Sequence, residues 1–176
     1  MALQACRAEA RGGTAAAGGA AAAVERGGGR GGGGGGMSLK DRAKATMDAG
    51  YRGFRVDASI GGAIPDGVFN THERVRLVGT RPARRSAKAW AHGDWMIDFH
   101  QKFDFADALR CCRLIEEYEP YFVEDPVRDE HFLQDIPKLR QMTTCPLTAG
   151  EEWGNRWDFN KLVENHDIDY IRATLP

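Results

Sequence analysis

Residues 95–126 read WMIDFHQKFDFADALRCCRLIEEYEPYFVEDP, and this stretch sets the architecture. WMIDFH (95–100) is a short apolar run of strand character. FADALRCCRLIEEYEP (105–120) repeats apolar residues at helical spacing and closes at Pro120, and YFVEDP (121–126) is a second strand-like run. Two strands joined through a helix must run parallel, because a hairpin has no room for the crossover.

The alternation continues on both sides. LKDRAKATMDAG (39–50) has helical spacing and a Gly50 stop, and in YRGFRVD (51–57) Phe54 and Val56 alternate as in a strand. A glycine-rich loop around Gly61 and Gly62 precedes a helix at THERVRLVG (71–79), with Thr71 as N-cap and Pro82 as interruption. Towards the C-terminus, EHFLQDIPKLRQM (130–142), PLTAGEE (146–152), RWDFNKLVENHD (156–167) and IDYIRATLP (168–176) give helix, strand, helix and strand. The expected fold class is α/β, a partial TIM-type (β/α) barrel of about five consecutive units.

Residues 1–36 are mostly glycine and alanine with Arg7, Arg11, Arg26 and Arg30, and they hold no aromatic residue. They are expected to form a disordered low-complexity tail, and residues 37–176 the folded domain. Serine is absent from the tail and Gly31–Gly36 would break an amphipathic helix, which argues against a transit peptide. The arginines form no RGG repeat. With a net charge of -1, no overall field attracts nucleic acid, and no apolar run approaches the ~20 residues of a membrane span. The basic stretch Arg81, Arg84, Arg85 and Lys88 reads as a solvated connector. Four cysteines without CxxC spacing and no secretory signal point to reduced thiols and a cytoplasmic protein.

Three acids stand at strand ends: Asp98 in MIDFH, Glu124 in FVEDP and Glu151 in TAGEE, spaced 26 and 27 positions apart. A barrel of ~250 residues gives each of its eight units roughly 31 residues, so these acids belong to consecutive strands and converge at the mouth. Any one of them alone reads equally well as a solvated acid. Three converging carboxylates repel one another unless a cation lies among them, and hard oxygen donors suit Mg²⁺ better than zinc. His100, two residues beyond Asp98, shares its face by strand alternation and is open to a catalytic or a structural reading. Asp125 and Glu152 each follow a proposed ligand, and alternation turns them away from the cation.

Taken together, MIDFH, FVEDP and TAGEE resemble the barrel domain of the enolase superfamily, and DFH with its histidine is similar to the galactonate dehydratase group of the mandelate racemase branch. The resemblance runs over residues 37–176. It implies that Asp98, Glu124 and Glu151 bind Mg²⁺, that His100 is the general acid on a β-hydroxyl, and that a small sugar acid loses water to give a 2-keto-3-deoxy product. Trp153 and Asn155, in the loop after Glu151, are open to two readings, lining the sugar pocket or serving packing and solvent exposure.

The pattern also departs from the family. A Gly/Ala tract stands where relatives carry a capping domain, the run Arg55-Val56-Asp57 offers no lysine base, and the chain ends at Pro176 before the later strands that carry a histidine base. Open terminal strands point to self-association as a homo-oligomer or to an incomplete gene model, with the latter preferred. The alternative reading is a catalytically inactive, metal- or partner-binding derivative.

Overall fold

The computed structural model describes residues 23–24, 39–57, 71, 75, 76, 78, 94–128 and 131–173. In chain order these give β1 (Ala23–Val24), α1 (Leu39–Asp48), β2 (Gly53–Asp57), β3 (Asp94–Asp98), α2 (Phe105–Ile115), a 3-10 turn (Glu116–Tyr118), β4 (Phe122–Glu124), α3 (Phe132–Met142), β5 (Leu147–Ala149), α4 (Arg156–Glu164) and β6 (Tyr170–Ile171). All neighbouring strands are parallel and the sheet order is β1-β2-β3-β4-β5-β6. Strands in sequence order joined through helices are those of a β/α barrel wall, as expected.

Two short pieces of the N-terminal half are described beside α1 and β2. Ala23–Val24, inside the tract expected to be disordered, pairs in parallel with Phe54 and Arg55. Small uncharged residues can satisfy the backbone groups on the edge of β2 without steric or electrostatic cost. Of the helix expected at 71–79, Thr71, Val75, Arg76 and Val78 are helical, with Val75 and Val78 buried. The loop at Gly61 and Gly62, Pro82, the basic stretch 81–88 and the last three residues lie outside the described residues.

Strand register divides the side chains between two faces. Phe54, Val56, Trp95, Ile97, Val123, Leu147 and Ala149 point into one layer and join a single buried cluster. The helices complete that layer. Ala108, Leu109, Cys111, Cys112 and Ile115 form a stripe along α2, Phe132, Ile136 and Leu139 come from α3, and Phe159 and Leu162 from α4. Each large apolar side chain buried there contributes roughly 1.5–3 kcal/mol. Three thiols, Cys111, Cys112 and Cys145, are free and buried in this layer.

The other face carries Arg55, Met96, Asp98, Phe122, Glu124, Thr148 and Tyr170. Its lower end is aromatic, where Phe122 and Tyr170 pack 5.6 Å apart and Tyr121 lies 5.2 Å from Tyr170. Its upper end is charged. Two bonds tie down the lower end: Trp95 Nε1 donates to the Tyr118 carbonyl at 2.7 Å, and the Tyr121 amide donates to the Trp95 carbonyl.

Candidate metal centre

Asp98 and Glu124 are the last residues of β3 and β4 and face each other in register, while Glu151 follows β5 by two residues. Oxygen atoms of Glu124, Asp125 and Glu151 lie within 4.8 Å of one another, as do ligand atoms of Asp98, His100 and Glu151. Glu151 is common to both groups. Glu151 therefore links the Asp98 side and the Glu124 side of the strand-end mouth.

The turn after β3 is built by Asp98 itself. Its Oδ1 accepts the backbone N–H of His100 at 2.7 Å, an Asx-type turn in which His100 and Gln101 take φ values of 50° and 56°. That turn returns the imidazole over the strand end, with His100 Nδ1 3.2 Å from Asp98 Oδ2 and 3.7 Å from Glu151 Oε2. The expected neighbourhood of His100 and Asp98 is present, but a left-handed turn produces it and not strand alternation, because β3 ends at Asp98. The histidine ring is half-exposed and accessible from the mouth.

Two arginines that the sequence reading did not assign to the site are central to it. Arg55, on the charged face of β2, donates through Nη1 to Glu124 Oε1 and at 3.2 Å to Asp98 Oδ2. Arg172, the first residue after β6, donates through Nε to Glu124 Oε1 at 2.8 Å and through Nη2 to Glu151 Oε1 at 3.1 Å. Partial burial works against the Arg172 charge, yet Glu124 and Glu151 outweigh it and hold its pKa above the ordinary value. The signal in the sequence was position: both arginines belong to strands flanking the acids.

Burial costs these acids heavily. Asp98 is 2% exposed, Glu124 1% and Asp125 0%. Burial first, and then the Glu124 charge, push the Asp98 pKa up to about 6 against the pull of Arg55 and His100. Burial likewise lifts Asp125 to about 7, opposed by the hydrogen bond from Gly150. Buried carboxylates of raised pKa, clustered at a strand-end mouth, are what a cation would stabilise.

Asp125 is not turned away as alternation implied. It sits at φ 42°, its Oδ1 accepts the Gly150 N–H at 2.9 Å, and its buried Oδ2 has no hydrogen-bond partner among the described residues. The carboxylates of Asp98, Glu124 and Glu151 are hard oxygen donors that fit a divalent cation such as Mg²⁺, whose remaining positions go to water or substrate oxygens.

Trp153 and Asn155 make local contacts on the helix layer, as the packing alternative has it. The Trp153 ring packs edge-on between Phe132 at 5.5 Å and Phe159 at 5.1 Å, on the helix layer. Asn155 is the N-cap of α4, its Oδ1 accepting the Trp157 N–H at 2.9 Å and its amide donating to Asp158. Both have local structural roles because the loop turns directly into a helix. The sequence held that signal in Asn155 followed three residues later by an acid.

Known proteins share this fold. A D-mannonate dehydratase from Sphingomonas sp. is 33% identical over 112 residues, covering 62% of this chain and 27% of its own length. A D-galactonate dehydratase family member from Pantoea ananatis is 25% identical over 167 residues, covering 79% of this chain and 40% of its own. The crystal structure of an enolase from Pantoea ananatis with bound D-gluconate and Mg superposes with a TM-score of 0.66 at 21% identity, over 76% of this chain and 39% of that one. The chain thus spans well under half the length of these relatives. The model of the enolase C-terminal domain-like family matches residues 38–176, the whole of the sheet from β2 to β6 with its helices, and the chain belongs to that family.

Proposed function

We propose that the protein carries the metal-binding and acid half of an acid-sugar dehydratase site, in which the proton α to a carboxylate is removed and a β-hydroxyl leaves as water. The observation that supports this reading is the clustering of Asp98 and His100 with Glu151, and of Glu124 and Asp125 with the same Glu151, at the ends of three consecutive parallel strands. The dehydratase names of two relatives, 33% and 25% identical to this chain over the aligned residues, point the same way.

Asp98, Glu124 and Glu151 hold Mg²⁺ in this reading, and the cation supplies Lewis-acid stabilisation of charge developing on the substrate carboxylate. Arg55 and Arg172 limit the mutual repulsion of the acids and fix their carboxylate planes through charge-assisted hydrogen bonds. His100 keeps Nδ1 against Asp98 Oδ2, which orients the ring so that Nε2 is the nitrogen left to deliver a proton to the departing hydroxyl. The half-exposed ring meets a substrate entering from the mouth. The substrate class is a small polyhydroxylated carboxylic acid, taken up from solution and not from a membrane or nucleic acid. No helix among the described residues is long and apolar enough to cross a membrane.

Purified full chain is assayed with Mg²⁺ and a panel of sugar acids for 2-keto acid formation, alongside Mg²⁺ titration by calorimetry. Binding that disappears in Glu124→Gln, with turnover that disappears in His100→Asn, supports the dehydratase. Binding without turnover on any sugar acid favours the inactive metal-binding derivative, and no Mg²⁺ binding removes the metal reading altogether.

A further inference from the structure

Asp125 is an unusual residue for its place. It is fully buried and takes a left-handed φ of 42°, a conformation that non-glycine residues adopt mainly when surrounding structure holds them there. It also stands immediately before Pro126, whose ring narrows its backbone choices further. The bonds that hold it are complete in three directions. Its N–H donates to the Thr148 carbonyl of β5 at 2.9 Å, its carbonyl accepts the Gln101 N–H at 3.0 Å, and its Oδ1 accepts the Gly150 N–H at 2.9 Å.

The three bonds reach the turns after all three ligand-bearing strands. Gln101 follows His100, Asp125 follows Glu124, and Gly150 precedes Glu151. Gly150 itself has φ 108°, and a Cβ there would run into the Phe159 ring, so this turn cannot be stiffened by a side chain of its own. The Trp153 N–H holds the Gly150 carbonyl and the Arg172 N–H the Ala149 carbonyl, and the Asp125 carboxylate is the side chain that holds the Gly150 N–H. Glu151 is only partly buried and approaches both His100 and Arg172. Its direction therefore depends on where the Gly150 peptide is held.

We propose that Asp125 is a positioning residue of the metal centre, whose carboxylate holds the Gly150 N–H and thereby aims Glu151 at the cation shared with Asp98 and Glu124. This role rests on the metal reading above and extends it to a residue outside the ligand set. Asn and Gly both tolerate the left-handed backbone, and only Asn keeps an acceptor for Gly150. Asp125→Asn and Asp125→Gly therefore separate the hydrogen bond from backbone strain.

Full-length wild type, both variants and Glu124→Gln are titrated with Mg²⁺ by calorimetry, and Gly150 amide exchange is followed by NMR without metal. The expected result is a protected Gly150 amide and near wild-type affinity in Asp125→Asn. In Asp125→Gly the amide becomes unprotected and Mg²⁺ binds roughly 10–100-fold more weakly, the loss typical of residues that orient ligands. Equal loss of affinity in both variants, with Gly150 still protected in Asp125→Asn, would make Asp125 a direct ligand and overturn the proposal. Unchanged affinity and protection in Asp125→Gly also overturns it. If wild type and Glu124→Gln alike bind no Mg²⁺, the metal reading fails and the positioning of Glu151 about a cation falls with it. Gly150 protection in wild type and Asp125→Asn, absent in Asp125→Gly, then shows that the failure lies in the cation and not in the hydrogen bond.

Discussion

The two faces of the sheet are built from the same strands and obey opposite rules. Towards the helices, β2 to β5 present only apolar side chains, from Phe54 and Val56 to Leu147 and Ala149. Towards the other side the same strands present Arg55, Asp98, Glu124 and Thr148. The period of two lets one short segment serve both: Ile97 is fully buried in the core while Asp98, next to it, is a buried acid of raised pKa. The apolar face gains free energy from burial and the charged face loses it through desolvation. Stability and chemistry are thus separable by face.

The sharpest break of that comparison is Ile97→Asp, which puts an unpaired charge on the apolar face. Its desolvation cost of several kcal/mol is comparable with a whole fold's ~5–15 kcal/mol, so the cooperative thermal transition should vanish. The mirror-image change, Glu124→Gln on the charged face, should leave the metal-free melting temperature unchanged or higher while removing Mg²⁺ binding. A melting scan with and without Mg²⁺ checks both.

A smaller effect comes from pH. Asp98 titrates at about 6 and Asp125 at about 7 in the folded protein, against an ordinary 3.8. Between these values the folded state holds protons that the unfolded chain has released, so metal-free stability falls as pH rises from about 4 to about 7. The contribution, on the order of a few kcal/mol, is fully present below the ordinary pKa and lost above the raised ones. Denaturant midpoints of the metal-free protein should therefore be higher at pH 5 than at pH 8, and Mg²⁺ should raise the midpoint more at pH 8, where the acids need no deprotonation to bind it.

Positions on neither face should matter least. Asn155→Ala removes the α4 cap and should cost about 1 kcal/mol in urea denaturation without changing Mg²⁺ affinity, since the cap turns its side chain into the helix end. A change in affinity would return Asn155 to the pocket. Lys44→Ala, which removes an exposed pair with Asp48 on α1, should shift stability by less than about 1 kcal/mol.

Much of this was legible in the sequence, for physical reasons that differ by residue. The strands and helices from 94 onwards announce themselves because burial on one face imposes a period of two or 3.6, and Asp98, Glu124 and Glu151 stand out because β/α units have a near-constant length. Three features were not legible. The Asx-type turn that returns His100, and the left-handed conformation that turns Asp125 inward, are backbone choices that no periodicity records. Arg55 and Arg172 reach the acids across neighbouring strands, and long side chains do not reveal their destination by position alone. The loop after β5 was open to two readings because Trp153 and Asn155 have the chemistry of sugar contacts, while the capping pattern beside them has a simpler use.

The cysteines of the helix layer have a practical consequence. Burial holds the Cys111 thiol well above its usual pKa, and Cys112 is raised by its hydrogen bond with Cys145 as well as by burial. A thiolate-seeking reagent such as a maleimide cannot meet these sulfurs until α2 lifts from the sheet. Peptide-resolved alkylation at Cys111 and Cys112 is therefore a clock native to the molecule, counting how often its helical wall opens and how much a bound cation on the far side slows it.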